Sequence, residues 1–383
     1  MSERTGRKNA AVLVGLDFGA DGYGESLEEL RLLVESSGLK PLALIQGKRQ
    51  RPDAALYAGS GKTEEIAAAV REHSASLVVF NHELSPAQQR NLEQKLECPV
   101  LDRTGLILGI FAQRARSHEG KLQVELAQLE YASTRLVRGW THLERQRGGG
   151  GFLGGMGETQ IEIDRRLIGK RVKLLKDKLV QFKRRRDVQR RARVRGEVLS
   201  VSLVGYTNAG KSTLFNLLTR ADSYTADQLF ATLDTTTRRM YVEEAGNLVL
   251  SDTVGFIRDL PHGLVASFRA TLEETIHADL LLHVVDASSS VRDAQIAAVN
   301  AVLAEIGADA IPQVLVWNKI DLTALMPGLE RDEYGKICRV SLSAKTGAGL
   351  EILRTALAEV AAAKKSAATN LEMEHCHKDT YVT

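Results

Sequence analysis

The run Gly205-Tyr206-Thr207-Asn208-Ala209-Gly210-Lys211-Ser212-Thr213 constrains this chain more than any other feature. It fits a Gly-x-x-x-x-Gly-Lys-Ser pattern, with an apolar stretch before it (198–204) and an amphipathic one after it (214–218). Strand, glycine turn and helix form the setting in which such a turn wraps phosphate oxygens. Glycines let backbone N–H groups approach the oxygens, and the helix N-terminus adds its dipole. Lys211 then reaches the β- and γ-phosphates, and the Ser212 hydroxyl meets Mg2+.

Three further short motifs follow in order. Asp252-Thr253-Val254-Gly255 closes an apolar strand that contains Leu248, Val249 and Leu250. There Asp252 can hold Mg2+ through water, and the Gly255 N–H can sense the γ-phosphate. Asn318-Lys319-Ile320-Asp321 ends the strand at 314–317. The carboxylate of Asp321 can accept from the ring N–H and the exocyclic amine of guanine. Adenine has no such donor pair, so it would leave the carboxylate unpaired. Asn318 suits the other edge of the base, and the Lys319 stem covers the ring. Ser343-Ala344-Lys345, after the strand at 338–342, can offer a backbone N–H to the guanine carbonyl. Each short motif alone is weak. Four in order, each at a strand end, point to a guanine-nucleotide site at the carboxyl edge of a doubly wound sheet. Between the phosphate turn and the next strand lies Leu229-Phe230-Ala231-Thr232-Leu233-Asp234-Thr235-Thr236-Thr237-Arg238, where a switch loop belongs. Thr232 is the preferred Mg2+ ligand there, although spacing leaves Thr235, Thr236 and Thr237 open.

The N-terminal part alternates strands near 10–18, 39–45, 77–80 and 100–102 with helices near 26–37, 63–73, 86–96 and after Thr104. That pattern predicts a small parallel sheet covered on both faces. Ser85-Pro86-Ala87-Gln88 is a helix start with hydroxyl cap, first-turn proline and capping-box glutamine. Next come two coiled-coil seams: Leu122, Leu126, Leu129, Ser133, Leu136, Trp140 and Leu143, then Ile168, Val172, Leu175, Leu179 and Phe182. The glycine-rich run 147–157 between them cannot sustain a helix, since each glycine costs about 1 kcal/mol relative to alanine. An antiparallel helical hairpin with a mobile loop is expected. From 198 a second α/β domain begins, with strands near 198–204, 240–250, 280–286, 313–317 and 338–342 and helices near 211–219, 263–277, 291–306 and 349–362. The expected fold is therefore α/β: a small parallel domain (1–115), a basic helical hairpin (116–196), a phosphate-loop nucleotide-binding domain (197–363) and a disordered tail (364–383).

The net charge of +3 over 383 residues conceals an asymmetry. Between Arg165 and Arg195 stand fifteen Lys or Arg against two acids, a surface suited to a polyanion. RNA backbone contact is the favoured reading, with a solvated helix face as the bland one. The glycine-rich loop, carrying Phe152, Leu153 and Met156, reads either as a reach into an RNA cavity or as a plain connector. Gly59-Ser60-Gly61-Lys62-Thr63 half-matches the phosphate pattern, but its first glycine would fall on Leu56. RNA contact through Lys62 is preferred there over a second nucleotide site. No apolar run reaches the ~18 residues of a membrane span, and the polar N-terminus argues against a secretory signal. Three scattered cysteines argue against a disulfide or zinc framework and fit a reducing cytoplasm.

These motifs resemble the translation-factor-like class of small GTPases. Nearly the whole chain resembles the HflX family of ribosome-associated GTPases, most tellingly in 205–213, 230–234 and 252–256. Gly157-Glu158-Thr159-Gln160, after the glycine-rich run, is also family-like. The resemblance implies a P-loop GTPase domain in which Thr232 is the switch-loop Mg2+ ligand and GTP is hydrolysed to GDP. It also implies a cytoplasmic, monomeric protein that binds the large ribosomal subunit and its rRNA, not DNA or a membrane. The expected role is splitting stalled or vacant ribosomes, notably under heat stress; the rival is a GTP-gated RNA-binding module whose hydrolysis is incidental. Many such enzymes place a water-orienting glutamine immediately after Asp-x-x-Gly; here that position is Phe256. Slow unassisted turnover is expected, with Lys211, Gly255 and Asn208 as the catalytic set. In related GTPases an asparagine at the Asn208 position helps hold K+; alternatively Asn208 only hydrogen-bonds within its loop. Arg258 and Arg269 are weaker candidates for a cation supplied in cis.

Overall fold

The computed structural model describes residues 9–19, 22–139, 159–195, 198–220, 228–258 and 272–379. The glycine-rich run, the seam residues Trp140 and Leu143, Arg269 and most of the expected helix at 263–277 lie outside them. Contacts group the chain into two compact units, divided between Gln181 and Phe182.

The first unit opens with strand β1 (Ala10–Asp17), helix α1 (Tyr23–Ser36), β2 (Lys40–Lys48), α2 (Ser60–His73), β3 (Leu77–Phe80), α3 (Pro86–Leu96), β4 (Val100–Leu101) and α4 (Arg103–Arg114). The four strands are parallel and ordered β2-β1-β3-β4. A core of Val12, Val14, Ile66, Val78, Phe80 and Leu92 is buried on one side. The capping box reads as expected: Gln88 N donates to Ser85 Oγ (3.2 Å), and Ser85 N donates to Gln88 Oε1 (2.9 Å).

Two long helices follow, α5 (His118–Gly139) and α6 (Thr159–Arg195). Helix α5 is fastened to the small α/β layer through Asp102. The buried Asp102 carboxylate caps α4 through Gly105 N (2.8 Å) and also accepts from Tyr131 Oη (2.6 Å) and the Arg135 guanidinium. Burial first, then the Asp102 charge, pushes the Tyr131 hydroxyl well above its ordinary pKa. Arg171 and Lys176 of α6 pair with Glu125 and Glu130 of α5, so part of the basic excess is already neutralised.

The second unit contains β5 (Leu199–Gly205), α7 (Lys211–Thr219), β6 (Thr236–Val242), β7 (Gly246–Asp252), α8 (Glu273–Ile276), β8 (Leu280–Asp286), α9 (Arg292–Ile306), β9 (Gln313–Asn318), β10 (Gly328–Arg331), β11 (Ile337–Ser341) and α10 (Leu350–Asp379). Its sheet runs β10-β11-β9-β8-β5-β7-β6, parallel except for antiparallel pairs at both edges. Val201, Leu203, Leu214, Phe215, Leu250, Leu282 and Val316 lie in its core. The single strand expected at 240–250 is instead a hairpin, β6–β7, turned at Glu244 and Gly246, both at positive φ. The last helix runs through Asp379, where a disordered tail is expected from 364. Its continuation over 364–379 holds no Gly or Pro to break the helix. No helix of the described residues is long and apolar enough to cross a membrane.

Candidate functional site: a phosphate turn and a base turn on one sheet edge

The carboxyl ends of β5, β7, β9 and β11 carry the four nucleotide motifs of the sequence. The phosphate turn leaves β5 at Gly205 and enters α7 at Lys211. Gly210 is left-handed (φ 93°), and a Cβ there would lie 2.2 Å from Asn318 Nδ2. The phosphate turn thus packs directly on the base turn. Asn318 spans the two: Nδ2 donates to Ala209 O and Oδ1 accepts from Ala344 N, both at 2.8 Å.

Lys211 is buried, its ammonium donating to Gly205 O (3.1 Å) and Tyr206 O (2.8 Å). Burial pushes its pKa down to about 8, against the pull of Asp252. Gly255 stands beside it: a Cβ there would meet the Thr207 Cα at 2.9 Å and Lys211 Nζ at 3.0 Å. Thr207, Asn208, Gly210, Lys211, Ser212, Thr213, Phe230, Ala231, Thr232, Thr253 and Gly255 line one pocket. Leu233 and Val254 are buried nearby in sequence, and Asp234 is half-buried.

Three hard oxygen donors meet at Ser212. Its hydroxyl donates to Asp252 Oδ2 (2.6 Å) and lies 2.6 Å from Thr232 Oγ1. Asp252 is buried, and its Oδ1 has no hydrogen-bond partner among the described residues. Burial raises its pKa, opposed by the Ser212 hydroxyl and the Lys211 charge. An orphaned buried carboxylate oxygen beside two hydroxyls fits a small divalent cation that prefers oxygen ligands. Of the four threonines left open by spacing, Thr232 reaches Ser212; Thr237 instead faces Ser251 (3.0 Å). The preceding Phe230 is fully buried at φ 55°.

Phe256 has no access to the pocket. It is fully buried, and its backbone binds the phosphate turn: Thr207 N donates to Phe256 O (2.7 Å), and Phe256 N donates to Gly205 O (3.1 Å). At the base turn Ser343 Oγ donates to Asp321 Oδ1 (2.6 Å), and Ile320 N reaches Leu342 O (3.4 Å). Lys345 follows on an exposed position of the same loop. Sequence reasoning missed Asp286, whose Oδ2 accepts from Lys319 Nζ at 2.7 Å. Its only signal is an acid at the end of an apolar strand. It also missed His283, buried on β8 with Nδ1 unpartnered among the described residues. Burial pushes His283 down to about 4, with a Gln313 hydrogen bond opposing and the Lys211 charge adding to the effect.

Three family models match successive segments. They are described as GTP-binding GTPase N-terminal (24–112), GTP-binding GTPase Middle Region (114–193) and 50S ribosome-binding GTPase (200–319). GTPase HflX of Escherichia coli is 56% identical over 360 residues, covering 94% of this chain and 84% of its own. The chain belongs to the HflX family of GTPases. Another HflX GTPase, from Magnetococcus marinus, is 52% identical over 88% of this chain and 78% of its own length. A crystal structure titled as SsGBP in complex with GDP aligns at a TM-score of 0.50 and 25% identity, over 92% of this chain and 98% of the other. As an HflX-family member the chain is a P-loop GTPase, which binds guanine nucleotide and hydrolyses GTP.

Proposed function

We propose that this GTPase binds the large ribosomal subunit through its rRNA and splits stalled or vacant ribosomes in the cytoplasm, heat stress included, in a Mg2+-dependent cycle. The meeting of Ser212, Thr232 and Asp252 carries this reading, because it ties a switch loop to the phosphate turn. The matched model described as a 50S ribosome-binding GTPase and the basic face of α6 support the partner. RNA contact by such a face is largely sequence-independent and weakens with salt.

Mg2+, held by Ser212, Thr232 and Asp252, would neutralise charge on the β- and γ-phosphate oxygens. Lys211 supplies a second cation to those oxygens, and the Gly255 N–H reports the γ-phosphate. Residues 205–213 cradle the phosphates, and 230–234 close over them. Residues 318–321 with Ser343, Ala344 and Lys345 hold the guanine. Asn208, on the pocket wall, would help hold a K+, which would supply positive charge beside the phosphates. Phe256 is locked below the pocket, so no side chain at that position orients the water. Unassisted turnover is therefore slow, on the order of 10⁻⁴–10⁻² s⁻¹, until a partner surface completes the site. The same buried Phe256 favours a second reading, a GTP-gated RNA-binding module with incidental hydrolysis.

Ribosomes sedimented with the protein and a non-hydrolysable GTP analogue test the proposal. Separation into subunits is expected, with GTP turnover stimulated by large subunits. Intact ribosomes under GTP and analogue alike would sink the splitting role, and unstimulated turnover would leave the gated module standing. Equal turnover in KCl and NaCl would remove the K+ assignment.

A further inference from the structure

Asp286 touches Lys319 on the base turn, and nothing in the motif pattern calls for an acid there. We propose that Asp286 is a positioning residue for guanine recognition, fixing the Lys319 stem as a ready-made apolar ledge for the base. This rests on placing the base at Asn318–Asp321.

The carboxylate is itself held. β8 ends at Asp286, paired in register with Asn318, and Ala287 N donates to Asn318 O (2.9 Å). Asp286 Oδ1 accepts from Ser288 N (2.9 Å) and Ser288 Oγ (2.6 Å). That leaves Oδ2 directed at Lys319 Nζ, 2.7 Å away. The pair adds nothing to the β8–β9 ladder, which the backbone already completes. It fixes one long side chain. A lysine stem is flexible and its ammonium a strongly hydrated point charge, so an unanchored stem must be ordered when the ligand arrives. Anchoring it beforehand moves that ordering out of the binding step, which is how preorganisation raises affinity. The two side chains are 25% and 21% exposed, so the pair is partly shielded and still within reach of a ligand. Asp286 thus acts through Lys319 and makes no demand on the phosphates.

The test is release of a fluorescent GDP analogue from the full-length protein, chased with excess GDP. Asp286→Ala is expected to release it about fivefold faster, the upper range for a partly exposed ion pair. Asp286→Asn, which keeps an acceptor for Ser288 but loses the charge, should give a similar acceleration. Lys319→Ala should be faster still, and the Asp286→Ala/Lys319→Ala double variant no faster than Lys319→Ala. A merely structural role would instead multiply the two effects. Wild-type release from both Asp286 variants, or multiplication in the double variant, overturns the proposal. Asp321→Asn run in parallel separates the two layers, since it should exchange preference for GDP for xanthosine diphosphate. Failure of that exchange would remove the base assignment. Success there with unmoved Asp286 variants would remove only the positioning role.

Discussion

Gly59–Thr63 and Gly205–Thr213 each bring a lysine and a hydroxyl to the first turn of a helix packed on a parallel sheet, and they end in different chemistry. In the first, Lys62 pairs with Glu65 of its own helix (2.6 Å), and Thr63 Oγ1 donates back to Gly59 O (2.7 Å). Arg49 fills the space beside Gly59, where a Cβ would lie 2.0 Å from its Nη1. In the second, the lysine ammonium donates to two backbone carbonyls of its own turn. Its hydroxyl neighbour faces a buried carboxylate and a second hydroxyl. The lesson is that a glycine-lysine turn becomes a phosphate site through what the neighbouring strands deliver. β7 delivers Asp252 beside Ser212; the hydrogen bonds and ion pair of Lys62 and Thr63 among the described residues stay within their own helix and its first turn.

The largest test of that contrast exchanges the lysines. Lys211→Ala should lower GTP turnover by about 10²–10³-fold, the scale of losing one preorganised charge donor. Lys62→Ala should leave turnover unassisted by ribosomes within about twofold of wild type. A comparable loss in both, measured by phosphate release, would make the first turn a second nucleotide site.

A medium effect concerns buried charge. In the first unit Arg103 is paired with Glu29 and Arg135 with Asp102, whereas His283 in the second is buried with its Nδ1 unpartnered among the described residues. Its folded pKa of about 4 lies below the ordinary value of about 6.5. The unfolded chain therefore binds the extra proton as pH falls below about 6.5. The stability His283 contributes is present above that pH and is lost toward pH 4, on the order of 3 kcal/mol. Urea unfolding of the GTPase unit should lose that component in His283→Gln; unchanged acid sensitivity would show that other groups carry it.

The smallest effect is at the surface. Glu65→Gln removes only an exposed pair, so thermal unfolding should report less than about 1 kcal/mol. A larger loss would mean that Lys62 is held for more than its local turn.

Much of both regions was legible because the signals were local. The Ser85–Gln88 cap, the strand-turn-helix at 205–213 and the three later strand-end motifs depend on neighbours in sequence, and the elements that carry them form as expected. What escaped depends on distance. The β6–β7 turn reads Glu243-Glu244-Ala245-Gly246, a weak break in an apolar run, and only sheet pairing makes it a hairpin. Strand β10 exists because β11 offers it an edge. Asp286 is 33 residues from Lys319, so no spacing rule joins them. The burial of Phe256 follows from its bridge to Tyr206, not from its side chain's place after a glycine.

Phe230 has a consequence for timing. A side chain held in the left-handed region costs roughly 1–2 kcal/mol, and here the burial of the ring offsets it. Two residues on, Thr232 adds the grip of Ser212. Loosening that grip leaves the buried ring alone to hold the left-handed backbone of this segment in place.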